Sequence, residues 1–150
     1  DGEAVAAVNE FPALGDSFAA ADDGAMRNGE PCSVSDKTNP ETFTIDPIFG
    51  LSERNRRKLS EYVRVIAENF GDSRRYGCSQ FVLSSVAAGE LDAAVSGQRL
   101  SPWDTVGGAH LVRQAGGTVT DLDGERWTPS ADGIIASNGE AHDELVAAFD

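Results

Sequence analysis

The spacing of apolar positions changes part-way along this 150-residue chain, and the change divides it in two. Residues 1–36 carry short apolar runs broken by turn signals. Ala4–Asn9 (AVAAVN) follows Asp1-Gly2, and Ser17–Ala21 follows the turn Phe11-Pro12 with Leu14-Gly15-Asp16. After Asp22-Asp23-Gly24 comes Asn28-Gly29, a strong hairpin signal, ahead of Pro31–Val34. This reads as an antiparallel meander. It has few aromatic residues with which to close a core, so it needs a partner layer.

From residue 37 to 150 the pattern alternates. Thr42–Asp46 (TFTID) is rich in β-branched and aromatic residues and predicts a strand. Ser52 is a plausible N-cap for a helix over Glu53–Asn69, whose apolar stripe is Leu59, Tyr62, Val63, Ile66 and Phe70. Gly71-Asp72 ends it, and Arg74–Gly77 reads as extended. Ser79–Ala88 predicts a buried helix stopped by Gly89 in the left-handed conformation. Leu91–Ser96 is a strand, Pro102–Ala115 a helix ended by Gly116-Gly117, Thr118–Asp121 and Ile134–Ser137 strands, and Gly139–Phe149 a last helix capped by Asn138. The alternation predicts an α/β layered domain, a mixed sheet flanked by helices, preceded by the antiparallel hairpin strands.

Charge narrows the partners. With 12 basic and 25 acidic residues the net charge is -13, and Lys37 and Lys58 are the only lysines. A lysine-poor acidic surface fits a salt-adapted protein or simply a soluble acidic one. Its field repels nucleic acid and anionic membranes, which argues against both as partners. It also repels a phosphorylated substrate unless a cation mediates. Arg54, Arg56, Arg57 and Lys58 cluster at one helix start, but in so acidic a chain they read as a solvated face. The two cysteines, Cys32 and Cys78, form no metal spacing and no disulfide framework, which fits a cytoplasmic protein.

Three places could carry chemistry. Ser101-Pro102-Trp103-Asp104 opens a helix with a preferred N-cap and a preferred first residue. Asp104 then falls where a carboxylate can reach back to the Ser101 N–H, as in a capping box. The same position suits an Asp holding Mg²⁺ beside a phosphate that rests on the helix N-terminus. Gly77-Cys78-Ser79 stands at a strand-to-helix junction whose backbone N–H groups can cradle an anion, or whose Ser79 is a simple N-cap. No histidine neighbours Cys78 in sequence, which argues against a thiol nucleophile. His110 and His142 lie on predicted helices and read as packed or surface residues. Gly107 and Gly108, costly inside a helix, imply close packing against another backbone.

These runs resemble a family. WDTVGGAHLVRQAGG is similar to W-D-x-A-x-G-x-x-L-V-x-E-A-G-G, the C-terminal signature of the inositol monophosphatases, with Val106 and Gln114 as departures. RRYGCSQFVLSSVAAGELDAAV resembles the family's helix start, V-A-x-G and L-D-A runs. PALGDSFAAADDGAMRNGEP looks like its middle hairpins. The resemblance implies a Mg²⁺-dependent, Li⁺-sensitive phosphomonoesterase, usually a homodimer, acting on a small phosphorylated substrate. It implies Asp104 as a metal ligand, supported by Ser101, Trp103 and Thr105. It also implies Gly77, Cys78 and Ser79 as substrate contacts, and places Ser96 near a position where many members carry an inositol-binding Glu.

The family's D-P-x-D-G-T motif and upstream acidic ligands have no counterpart. Asp46-Pro47-Ile48-Phe49-Gly50-Leu51 imitates the motif, but Phe49 and Leu51 replace its second Asp and its Thr, and it stands after the hairpins rather than before. The imitation reads as a coincidence in a strand-to-helix loop. The expectation is the C-terminal half of such an enzyme, with the hairpins left from an N-terminal α+β domain and roughly 100 or more residues missing from its front. The missing half is then its partner, and the chain is inactive without it. The alternatives are a relative acting on fructose bisphosphate, NADP or another nucleotide, and a stand-alone interaction or dimerisation module.

Overall fold

The computed structural model describes residues 2–149, so the turn expected at Asp1-Gly2 begins outside the described residues. The first sheet holds β1 (Ala7–Phe11), β2 (Asp16–Ala21), β3 (Gly24–Arg27) and β4 (Glu30–Pro31) in that order, all antiparallel. Asn28 and Gly29 turn with φ of 52° and 82°. Positive φ at both central residues is what the two-residue hairpin demands, and Asn and Gly tolerate it. β1 starts three residues later than its apolar run suggested and continues to Phe11. Pairing decides this: Ala7 to Phe11 match Ala20 to Asp16 across the Pro12–Gly15 turn. Alternation places Phe18, Ala20 and Ala25 inside and leaves Val8 outside.

The second sheet is mixed. β5 (Thr44–Pro47) lies parallel to both β6 (Asp72–Ser73) and β7 (Ala93–Ser96), while β9 (Ile134–Ser137) runs antiparallel to β7 and β8 (Thr118–Thr120). The strand order is β6-β5-β7-β9-β8. Helices α1 (Glu53–Asn69), α2 (Ser79–Ala87), α3 (Pro102–Gln114) and α4 (His142–Phe149) cover it. Successive residues of β7 and β9 point to opposite faces and feed two cores. Ala94, Ile134 and Ala136 join Val82, Leu83, Val86, Leu111, Val112 and Phe18, which places α2 and α3 between the two sheets. Ala93, Val95 and Ile135 join Ile66, Phe70, Leu145 and Phe149 under α1 and α4. The layered α/β architecture is therefore present, with the meander packed on its α2–α3 layer.

Boundaries shift where tertiary pairing ends. Thr42 belongs to a 3₁₀ turn (Pro40–Thr42) capped by Asn39, so its strand begins at Thr44. The extended Arg74–Gly77 segment pairs only at Asp72–Ser73, just before it. The last helix begins at His142 because the Asn138 side chain accepts the Glu140 N–H and holds residues 138–140 in a turn. On α1 Val63 is exposed and Val65 packs in its place against Ile66. Ser52 caps α1 through its hydroxyl, as expected, and Gly89 follows α2 with φ 71°. A Cβ on Gly108 would lie 2.4 Å from the Leu83 Cβ, so α2 and α3 cross in the close contact that the helical glycines imply. Among the described residues no helix is long and apolar enough to cross a membrane.

Candidate active site

β5, β6 and β7 are parallel, so their carboxyl ends share one edge of the sheet. Loops leave that edge for α1, α2 and α3, whose N-termini therefore gather there. Ligands in open α/β sheets bind at such an edge, where helix N-termini present N–H groups and positive dipole ends. A cavity of ≈ 350 Å³ lies there, lined by Asp46 of β5 with Phe49 and Gly50 after it, Gly77, Cys78, Ser79 and Gln80 at the start of α2, and Gln98, Leu100 and Asp104 after β7. A larger concavity of ≈ 460 Å³ beside α4 contains none of the expected site residues.

Asp104 does not build a capping box. The Ser101 hydroxyl makes no cap bond, and no hydrogen bond of the described residues engages the Asp104 carboxylate. The helix start is organised from other atoms. The buried Thr105 hydroxyl donates to the Ser101 carbonyl at 3.0 Å, and the Gln80 amide donates to the Trp103 carbonyl at 2.8 Å. Gln80 in turn accepts from the Asn9 amide of β1 at 3.0 Å. This chain of bonds locks the openings of α2 and α3 together and leaves the Asp104 carboxylate for the cavity. The Trp103 ring is 78% exposed beside it.

The Gly77-Cys78-Ser79 stretch reaches the same cavity. Gly77 takes φ 76°, and the N-cap is Cys78 rather than Ser79, with no side-chain cap bond. An uncapped first turn keeps its N–H groups available to an anion. Ser96 does not line the cavity. It is fully buried, and its hydroxyl donates to the Ile48 carbonyl at 2.7 Å, bracing the loop after β5.

Asp46, dismissed above as part of a chance imitation of D-P-x-D-G-T, and Gln80, not singled out in the sequence, both line the cavity. Asp46 ends a buried strand and is only 1% exposed. Its Oδ2 accepts the Tyr76 backbone N–H at 2.8 Å. Burial pushes its carboxyl up to about 6, against the Tyr76 hydrogen bond and the Arg75 charge, which pull it down. The usable signal was a carboxylate at the carboxyl end of an otherwise apolar strand. For Gln80 the signal was a long polar side chain in the first turn of a helix of small and apolar residues.

Three of the four cations clustered at the start of α1 are engaged locally. Arg56 donates to the Leu51 carbonyl, Lys58 to the Gly97 carbonyl, and Arg57 pairs with Glu53 one turn away. With Arg75 on the Phe49 carbonyl, Arg56 and Lys58 tie down the loops that rim the cavity.

The sequence matches the inositol monophosphatase family over residues 1–150. It is 31% identical to the inositol-1-monophosphatase ImpA of Mycolicibacterium smegmatis, over 97% of this chain and 54% of that protein. It is also 31% identical to a fructose-1,6-bisphosphatase/inositol-1-monophosphatase of Thermotoga maritima, over 97% of this chain and 55% of that protein. The extragenic suppressor protein SuhB of Bartonella henselae superposes with a TM-score of 0.90 at 31% identity, covering 99% of this chain and 57% of that one. The chain spans about half the length of the curated relatives it matches. It belongs to the inositol monophosphatase family.

Proposed function

We propose that this chain, as a member of the inositol monophosphatase family, forms the C-terminal half of a Mg²⁺-dependent phosphomonoesterase acting on inositol or sugar phosphates. One observation carries the reading: Asp104 and the uncapped start of α2 converge on a single cavity. N–H groups of residues 78–80 would receive the phosphate oxygens, and the Asp104 carboxylate would face the phosphate's counter-cation.

The donors of this chain make only part of a metal centre. Among the described residues no group of three or more His, Cys, Asp or Glu side chains could hold a metal ion. The cavity has two carboxylates, Asp46 and Asp104, whereas two-metal hydrolysis needs several. Mg²⁺, when bound, supplies a polarised phosphoryl oxygen and an acidified water. The remaining ligands would come from the other half of the protein, and this chain alone would not turn over.

Substrate selection falls to Asp46 and Gln98, because Ser96 spends its hydroxyl inside the fold. Without a carboxylate from that position, recognition of inositol hydroxyls has to come from elsewhere. This favours sugar phosphates as a second reading, in keeping with the double name of the Thermotoga maritima relative.

The test measures phosphate release from a panel of inositol, hexose and nucleotide phosphates with Mg²⁺ and with EDTA. It compares the 150-residue chain with the same chain completed by the front half of its Thermotoga maritima relative. The completed protein should hydrolyse at least one ester only with Mg²⁺, and lose that activity on Asp104→Asn. Turnover by the 150-residue chain alone, or a completed protein indifferent to Asp104→Asn, defeats the reading.

A further inference from the structure

We infer that a second cavity, at the C-terminal end of α3, binds a phosphate group at a site distinct from the one at the start of that helix. It measures ≈ 300 Å³ and is lined by His110, Arg113 and Gln114 of α3, by Arg126 and Trp127 after β8, and by Glu3. The inference does not depend on the chain's being a phosphatase.

Three observations point to an anion. First, two arginines converge here in a chain of net charge -13. Arg113 is half-buried, and its guanidinium is held below its ordinary range, first by burial and then by the Arg126 charge. Its place in the last turn of α3 suits the helix dipole, and its Nη2 donates to the Trp127 and Val119 carbonyls at 3.1 and 3.4 Å. Neither contact accounts for a second guanidinium beside it. Among the described residues Arg126 pairs with Glu3 alone, in a largely exposed pair at 2.6 Å. Second, the His110 ring is 93% buried, and its Nε2 is the one buried side-chain nitrogen or oxygen without a hydrogen-bond partner among the described residues. Such an atom is unfavourable unless a ligand or water completes it. Third, Val106 and Gln114 also line this cavity, and Gln114 presents an uncharged amide to it.

Phosphate fits better than carboxylate. Its oxygens match two guanidiniums and an imidazole N–H, and its double charge offsets the acidic field around the cavity better than a single charge would. In this arrangement the phosphate competes with Glu3 for Arg126.

The test is titration of the protein with inorganic phosphate in EDTA, which silences metal-dependent binding at Asp104. Binding is followed by calorimetry and by the NMR resonances of the His110 ring. A parallel titration with glycerol phosphate separates free phosphate from the phosphate group of an ester. Saturable binding of either ligand with a shift of the His110 ring is expected. Arg126→Gln should weaken it about fivefold and Glu3→Gln tighten it about fivefold, the scale of one exposed charge pair. Both substitutions are on the surface, so the fold should survive them. His110 resonances unmoved by both ligands, or equal affinities in the two variants, would overturn the inference.

Discussion

The Asp46 carboxylate accepts the Tyr76 backbone N–H at 2.8 Å, so the end of β5 is tied to the loop that enters α2. The bond is made inside the fold by a group whose protonated form the burial favours. The ordinary value of 3.8 rises to about 6 in the folded protein, so the folded state binds the proton more tightly. Stability contributed by this group is present below pH 4 and is lost as pH rises through 6. Asp46→Asn should therefore raise stability at pH 7.5, by up to about 3 kcal/mol, while lowering the kcat/KM of the completed enzyme. Thermal melts at pH 4.5 and 7.5 check the first half, and a variant no more stable at pH 7.5 contradicts it.

Asp104 should behave in the opposite way. Its carboxylate takes part in no hydrogen bond of the described residues, so Asp104→Asn should leave the urea midpoint within about 0.5 kcal/mol of the parent. In the completed enzyme the same change should cost at least about 100-fold in Mg²⁺-dependent phosphate release. A large loss of stability would return Asp104 to the role of a helix cap.

His142 is held as a neutral ring with its proton on Nε2. The Thr120 hydroxyl donates to the Asp121 carbonyl and must accept from Nε2. The Ser137 hydroxyl accepts the Gly139 N–H and must donate to Nδ1. Burial holds the imidazolium form below its ordinary 6.5, against a smaller pull from Asp143. Because the unfolded chain takes up the proton first, stability should fall as pH drops below 6.5. His142→Gln, measured by urea melts from pH 7.5 to 5, should flatten that slope. An unchanged slope removes His142 as its cause. Asp46 contributes a slope of opposite sign over the same range, so each variant must be read singly.

Gly108 and Gly107 separate packing from propensity. Gly108→Ala drives a Cβ to within 2.4 Å of Leu83 Cβ and should cost about 1–3 kcal/mol. At Gly107 the nearest atom is the Asn9 amide oxygen, 3.2 Å away on a side chain that can turn aside. There the gain in helix propensity, about 1 kcal/mol, should leave Gly107→Ala near neutral. Equal losses in chemical denaturation would mean that the α2–α3 crossing does not set the limit.

Asp92 anchors the segment that joins the two sheets. It is 1% exposed and accepts from the Ser35 hydroxyl, the Lys37 ammonium and the Thr44 N–H at 2.6–2.7 Å. Asp92→Ala takes the acceptor from the Ser35 hydroxyl and the Thr44 N–H, while the partly exposed Lys37 keeps the Thr42 carbonyl, and should cost about 2–4 kcal/mol in a urea titration. A loss below 1 kcal/mol would show that water replaces the carboxylate.

Much of this was legible along the chain. The period of Leu59, Tyr62 and Ile66, the Ser52 cap, the Asn28-Gly29 turn and Gly89 specify α1, the hairpin and the end of α2, because each signal acts over a few residues. The place of Asp104 in the first turn of α3 and of Gly77-Cys78-Ser79 at the entry to α2 were also legible, since cap and turn signals act over a few residues. Val63 and Val65 show where local reading stops. Both fall near the apolar stripe of α1, and only the position of β5 and α4 decides which is covered.

The sequence by itself determined the elements, their order and the family, because turns, caps and periodicity are written in neighbouring residues. The tertiary structure alone decided that Asp46, Cys78 and Asp104 meet. They lie dozens of residues apart, and they converge because β5 takes parallel partners on both sides, which gathers three loop mouths at one edge. It also decided the fate of Asp104. A carboxylate in the first turn can cap its own helix or face outward, and the bonds of Thr105 and Gln80, the latter made across two helices and a strand, leave it facing the cavity.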